Sequence, residues 1–488
     1  MLSLLGTPDL QGIDWYSARN LGLGAILVIA AVLLALRSLL RPVDHASPPA
    51  GKRWRLPPGP AGYPMIGNLL LFQKGEMAAH EIARYGEMTT THLGSKLWVV
   101  LNSNRLVSEL YGRKGSVTNG RPPYPMVSNL ISQGRRSVLL PPDGWSERRR
   151  VMHQLLSGSA MLNYHEYQVE ESTNLLLSYL KAPNFWYTHH RVYSNSVIHR
   201  IAFGEKPNLD DDIKAVTQAQ FDFLMNAPPY NPWSRKYAAM GEATNDAYAT
   251  YWKPIRRKIE QGKAQQSFAL GLVEDEAKFA GTEKDKMFLA MQLVEAGSDT
   301  TRLALNIFVL TSVMNPEKFL RARDEVDRVC GSNAERLPGF EDEKNLPYIN
   351  AFTPEHTLTE NLEFESYFFP AGTNFVINHA SIANDATVYS DPQCFKPERW
   401  LDGRETEIMG GSWQFGHGRR VCVGYRLAQK SLFINLARLI YCFNFEAREL
   451  FDDNEIKHFT LEEPFPIDVR VRGTAWELLV ASQVPSSK

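Results

Sequence analysis

The sequence predicts a mainly α-helical chain carried on a single N-terminal membrane helix, and three stretches predict it. After Cys422, residues Leu427, Leu432, Leu436, Leu439, Ile440 and Phe443 fall on one face of an amphipathic helix. The longest helical pattern begins near Lys286 and runs to about Asn315. Leu21 to Leu40 is apolar except for Arg37 and Ser38.

The anchor is justified first. As a helix, twenty residues reach about 30 Å, the thickness of the hydrocarbon core. Asp9, Asp14 and a lone Arg19 precede the run, whereas Arg37, Arg41, Lys52, Arg53 and Arg55 lie in or after it. The positive-inside rule then leaves residues 1–20 as a short lumenal segment and puts the remainder in the cytosol. A cleaved signal peptide is the rival, but its basic residues would stand on the other side of the apolar run. Residues 41–67 are a basic and Pro-rich linker, with Leu56-Pro57-Pro58-Gly59-Pro60 as a stiff spacer because proline fixes φ. Residues 68–488 form the catalytic part, free of internal repeats.

Composition bounds the function. At 488 residues the length alone allows about three domains, and one large fold is equally open. The 44% hydrophobic content can build a sizeable core, and a mean hydropathy of -0.29 argues against a polytopic membrane protein. A net charge of -1, without basic runs interleaved with aromatics, excludes nucleic acid as an expected partner. Cys330, Cys394, Cys422 and Cys442 are too irregularly spaced for a disulfide framework, which points to a reducing, cytosol-facing compartment.

Three segments carry candidate chemistry. Trp145 and Arg149 lie four apart and would share a helical face, while neighbouring Arg148 is expected on a solvated basic face. Within the long helix, Ala296-Gly297-Ser298-Asp299-Thr300-Thr301 puts a glycine and polar groups where an apolar stretch is otherwise maintained, which costs stability unless they have a role. One reading is a hydrogen-bonded pocket at a helix crossing. In Phe415-Gly416-His417-Gly418-Arg419-Arg420-Val421-Cys422-Val423-Gly424, glycines bend the backbone around one thiol, just before a helix N-terminus and beside Arg420. Both neighbours favour the thiolate. Such a thiolate serves as nucleophile, redox sensor or axial metal ligand.

The pattern Phe-x-x-Gly-x-Arg-x-Cys-x-Gly resembles the haem-binding loop of the cytochrome P450 family, with all five defining positions filled. The resemblance implies an α+β fold, mainly α with small β-sheets, and haem b (iron protoporphyrin IX) held non-covalently with Cys422 as axial ligand. It implies that Phe415 packs beneath the ring, that Arg420 pairs with a propionate, and that Trp145 and Arg149 clamp a propionate in the same way. The segment at 296–301 is similar to the family's oxygen-binding helix. There Gly297 would let the helix approach the haem, Thr300 would hydrogen-bond bound dioxygen, and Asp299 would relay protons. His356 matches a family histidine near a propionate.

A departure accompanies the match. Pro397-Glu398-Arg399-Trp400 resembles a family segment whose arginine joins a Glu-x-x-Arg pair from an earlier helix. That pair should begin shortly after Phe352, where the chain reads Thr353-Pro354-Glu355-His356-Thr357-Leu358. Pro354 would stop a helix. A deletion near 352–356 is therefore expected, on the order of one to two dozen residues, with the strand pair resuming at Tyr367-Phe368-Phe369. Glu147–Arg150 and Glu325–Arg328 have the spacing but the wrong place. Arg399, if buried, would be an uncompensated charge costing several kcal/mol.

By resemblance the function is monooxygenation of a small apolar substrate by O2, in a fungal secondary-metabolism style. Electrons would come from NADPH through a separate cytochrome P450 reductase, since the chain lacks a Gly-x-Gly-x-x-Gly loop. The expected location is the endoplasmic reticulum membrane, in contact with lipid through the anchor. Arg121–Met126 and Phe221–Trp233 match substrate-recognition segments in position. The alternatives are an inactive haem-binding remnant, a mis-spliced product, and an enzyme that rearranges oxygenated substrates without O2.

Overall fold

The computed structural model describes residues 56–94, 96–122, 124–207, 234–274, 279–349, 362–364, 367–369, 373–401, 415–452, 456 and 462–484. The expected anchor at 21–40, the deletion near 352–356, His356 and the segment Phe221–Trp233 lie outside the described residues. Among the described residues, no helix is long and apolar enough to cross a membrane. The chain divides into two compact units, Met1–Asn102 with Glu360–Ala380, and Ser103–Thr359 with Ser381–Lys488.

The smaller unit is built on strands. Helix α1 (Glu76–Ala83) precedes β1 (Met88–Leu93) and β2 (Lys96–Leu101), which pair antiparallel. The short hairpin β3 (Leu362–Phe364) and β4 (Tyr367–Phe369) leads to β5 (Asn374–Ile377), which pairs parallel with β2. Ala78 and Ile82 of α1 pack on Val100 beneath the sheet. The Pro-rich stretch expected to be a spacer is stitched onto β1: the Thr90 amide donates to Pro58 O at 3.0 Å, and the Asn68 side chain accepts from the His92 amide at 2.8 Å.

The larger unit is helical. Its helices are α2 (Pro142–Leu155), α3 (Leu162–Lys181), α4 (Trp186–Phe203), α5 (Ser234–Glu260), α6 (Phe268–Glu274), α7 (Glu283–Met314), α8 (Pro316–Cys330) and α9 (Tyr425–Cys442). The hairpin β6 (Phe443–Ala447) and β7 (Ile467–Val471), followed by α10 (Thr474–Ala481), closes the chain. Helix α7 is the long one read from the sequence. It starts three residues earlier than expected because Thr282 and Asp285 form a capping box: the Asp285 amide donates to Thr282 Oγ1 at 3.3 Å, and the Thr282 amide to Asp285 Oδ2 at 3.0 Å.

Helix α9 departs from simple amphipathicity. Leu427, Leu436, Leu439 and Ile440 are buried as expected, but so are Ser431, Asn435 and Arg438, which share the face of Leu427, across the helix from Leu436 and Ile440. Ser431 and Arg438 are met from α3 and nearby chain: Gln168 Nε2 donates to Ser431 Oγ at 2.8 Å, and Arg438 donates to Pro338 O and Val169 O, each at 3.0 Å, while Asn435 donates within the helix to Ser431 O at 2.6 Å. A helix at the centre of the core has no solvated face, so its polar residues must find partners inside. Phe443 belongs to β6 rather than to α9, and Arg323 of α8 closes the helix end by donating to Ile440 O at 3.0 Å and to Phe443 O.

Candidate functional site

The Cys422 loop is shaped by its neighbours. Residues 418–420 make a single 3-10 turn, and α9 begins three residues after the thiol. The Cys422 amide donates to Phe415 O at 2.7 Å, which closes the loop, and the Phe415 ring stands 6.2 Å from Tyr425. Gly418 has φ +64, and a Cβ there would run into the Tyr111 carbonyl oxygen. On the same neighbouring turn a Cβ at Gly112 would lie 2.9 Å from His417 Nε2. Glycine is needed at 418, where the neighbour is backbone and φ is positive, whereas at 112 an added Cβ would press only on the tip of the His417 ring.

The thiol is accessible, yet desolvation by the surrounding protein pushes its pKa up, against the Gly424 amide and the Arg149 guanidinium. An accessible atom that is nonetheless desolvated faces a recess. The backbone at the helix start acts in the expected direction, but the cation acting on the sulfur is Arg149 and not Arg420, and in the haem-free protein burial outweighs both.

Arg420 is buried, and its guanidinium lies 4.0 Å from the centroid of Trp145. Nε donates to Asn119 O at 2.7 Å and Nη2 to Leu140 O at 2.8 Å, while Nη1 is buried with no partner. Burial, then Arg121 and Arg149, push the pKa down to about 9. A guanidinium stays protonated near neutrality, so Arg420 remains a cation beside Arg121 and Arg149. Arg149 is 6.0 Å from Trp145, and its pKa is lowered by burial. Among the described residues, neither Arg149 nor Arg420 has a carboxylate partner. An accessible thiol beside two arginines of this kind fits a metal-bearing ligand with carboxylate arms, such as haem.

Arg148 is not on a solvated face. It donates to Asp285 Oδ1 at 2.9 Å and to Gly144 O at 2.8 Å, tying α2 to α7. Arg121, which the sequence placed among substrate-recognition residues, bears on Arg420 and donates from Nε to Val138 O at 2.9 Å. Only folding brings it there, because nearly 300 residues separate the two in sequence.

On α7 the exposed positions after the buried first half are Ala296, Thr300, Ile307 and Met314. Their spacing makes one stripe. Thr300 Oγ1 donates to Ala296 O at 2.7 Å within this stripe. Asp299 is tethered to the buried Arg302 at 3.1 Å. Gly297 points elsewhere. A Cβ there would lie 2.6 Å from Ile198 Cγ1, so its small size serves the crossing of α7 with α4 and not an approach to the accessible stripe. The contact lies at a helix crossing, but it is apolar packing on Ile198 and not a hydrogen-bonded pocket.

Trp145, Arg149, Phe415, Arg420 and Cys422 thus converge with Arg121, and Asp299 and Thr300 form a separate pair on α7. Arg399 is half-buried and not bare: its Nη2 donates to Asp391 O at 3.1 Å and Cys394 O at 3.0 Å, and its guanidinium lies 5.6 Å from the Tyr389 ring centroid. Glu398 turns away to Arg321 at 2.5 Å and Tyr348 at 3.1 Å.

The family profile described as Cytochrome P450 matches residues 57–467. The chain is 31% identical to cytochrome P450 monooxygenase verL of Clonostachys rogersoniana, over 84% of each chain. It is 29% identical to cytochrome P450 monooxygenase aneD of Aspergillus aculeatus, over 90% of this chain and 92% of the relative. It is also 29% identical to a cytochrome P450 monooxygenase of Armillaria gallica, over 88% and 89%. With a match across most of its length and a mainly helical fold with small sheets, the chain belongs to the cytochrome P450 family of haem-thiolate oxidoreductases.

Proposed function

We propose that this chain is a haem-thiolate monooxygenase acting on a small apolar metabolite, with Cys422 as the proximal ligand of haem b. The observation that carries the assignment is the buried, unpartnered Nη1 of Arg420 beside Arg149 and an accessible thiol. Arg149 and Arg420 would receive the propionates, and Trp145 would hold the Arg420 plane. The chemistry such a group supplies is reductive activation of O2, with one oxygen atom delivered to the substrate and the other released as water. Thr300 holds a proton on the accessible stripe of α7, and Asp299, fixed by Arg302, passes protons toward it. Two electrons per turnover come from NADPH through a separate reductase. Fungal relatives named as cytochrome P450 monooxygenases support the monooxygenase reading, and a role in secondary metabolism is proposed from the sequence resemblance.

The location follows the sequence reading: an endoplasmic reticulum anchor at 21–40 with the remainder in the cytosol. Exposure of Tyr63, Met65, Leu69, Leu70 and Met77 shortly after the linker supports contact with lipid. Protease treatment of intact microsomes tests the orientation, and a protected catalytic part would overturn it.

A second reading, a haem-binding remnant or mis-spliced product, rests on the Glu-x-x-Arg pair expected after Phe352, where the chain reads Thr353-Pro354-Glu355-His356-Thr357-Leu358. An alignment of 477 positions that uses 88% of a 488-residue chain must include positions at which this chain has no residue. Sequencing the transcript across Phe352–Thr353 separates a mis-spliced product from a true loss.

The reduced carbon-monoxide spectrum tests the assignment. The wild-type chain should give the red-shifted Soret band of thiolate ligation, and Cys422→Ala should abolish it while leaving the helical circular dichroism intact. A thiolate band retained in that variant would overturn the ligand assignment. Thr300→Ala should release more peroxide per NADPH consumed, and unchanged coupling would remove Thr300 from proton delivery.

A further inference from the structure

Three polar residues of α7, Asp285, Gln292 and Glu295, recur at spacings of seven and three and therefore share one face. All three reach the chain between residues 135 and 148. Asp285 accepts from Arg148 at 2.9 Å and lies 3.7 Å from Arg135. Gln292 Oε1 accepts from the Ser137 amide at 2.7 Å and from Ser137 Oγ at 2.6 Å. Glu295 accepts from Arg136 Nη2 at 2.5 Å and from the Tyr248 hydroxyl, and Arg136 Nη2 also donates to Tyr248 at 2.8 Å. The Arg136 side chain is 2% exposed and that of Glu295 13%.

The clamped segment has one 3-10 turn, Ser137–Leu139, and no ladder of its own. Its carbonyls are used on the other side: Val138 O accepts from Arg121 and Leu140 O from Arg420. A single short stretch thus joins a carboxylate on α7, one residue before Ala296, to the arginines around Cys422. Burying such an ion cluster is a poor way to gain stability, because apolar residues of similar volume usually do as well. Its geometric effect is specific, since it fixes where the Val138 and Leu140 carbonyls stand.

We propose that Glu295 is a positioning residue, which holds Arg136–Leu140 against α7 and thereby sets Arg420 and Arg121 for the anionic arms of the ligand. The inference rests on the proposed haem site. Its test compares Glu295→Gln with Glu295→Asp and with Glu171→Gln. The last removes a buried carboxylate that pairs with Arg200 elsewhere in the same unit. Two readouts are taken on the full chain: the rate of haem transfer to excess apomyoglobin, and amide hydrogen exchange of residues 137–141 and 416–424 in haem-free protein.

Glu295→Gln should speed haem loss about tenfold, the scale of outer-shell defects, and should speed exchange in both peptides. Glu295→Asp should restore part of each, and Glu171→Gln should leave both at wild-type values. Wild-type exchange at 416–424 in Glu295→Gln overturns the proposal, as does an equal change in Glu171→Gln. If Glu295→Gln does not fold, Tyr248→Phe removes one oxygen from the same node and is judged by the same criteria. A wild-type chain that takes up no thiolate-ligated haem overturns the proposed function, and the exchange readout then decides this inference by itself.

Discussion

Arg420→Lys isolates what the planar guanidinium contributes. Arg420 makes two carbonyl hydrogen bonds, at 2.7 and 2.8 Å, covers Trp145 at 4.0 Å, and keeps Nη1 for an anion. A lysine ammonium keeps the charge but cannot span both carbonyls, stack flat and bind a carboxylate together. Losing one charge-assisted bond costs about 2 kcal/mol, which corresponds to roughly thirtyfold in an equilibrium or rate ratio. Haem transfer to excess apomyoglobin should therefore be about thirtyfold faster in the variant than in wild type. The midpoint of thermal unfolding of the haem-free chain should fall only slightly, because without an anion the wild-type cluster is itself strained by like charges. Haem held equally long by both proteins would refute the argument that Nη1 is reserved for a propionate.

Three further outcomes follow from the packing. His190 is fully buried between the Tyr179 hydroxyl at 2.7 Å and Asn306 Oδ1 at 2.7 Å, and burial lowers its pKa from 6.5 to about 3. The fold therefore favours the neutral ring. That contribution is complete above pH 6.5 and lost as pH falls toward 3, on the order of 5 kcal/mol. His190→Gln should flatten the acid limb of a melting-temperature profile, and an unchanged limb would contradict this. Gly297→Ala should destabilise by about 1–3 kcal/mol through overpacking on Ile198. Ile198→Ala should rescue it in the double variant, so additive melting shifts would disprove the contact. Arg399→Ala removes two carbonyl hydrogen bonds and the contact with the Tyr389 ring, and should cost at least about 1–2 kcal/mol. Wild-type stability in chemical denaturation would contradict this.

The elements with strong local signals were legible in the sequence. The long α7 follows from its apolar run, and its start from the Thr282–Asp285 box that the periodicity alone did not register. The turn around Cys422 follows from its glycines, and the four-residue spacing of Trp145 and Arg149 from helical geometry. Partners separated widely in sequence were not legible. Arg148 reads as solvated until α7 brings Asp285 to it, and Arg121 reads as a substrate contact until the chain returns with Arg420. Burial also reverses local electrostatics: the helix end and basic neighbours suggested a thiolate, whereas desolvation dominates at Cys422. The reason for Gly297 depended on which helix crosses α7, and periodicity carries no information about that.

The close fit of Gly418 against the Tyr111 carbonyl, and of the His417 ring against Gly112, bears on how this loop can be exchanged. Because the loop is shaped against this one turn of main chain, it cannot be transplanted alone. A chimera that imports residues 415–424 from a relative inherits a shape made to fit that relative's counterpart of 108–113. Engineers who wish to alter the environment of the sulfur should move the two peptides as one cassette.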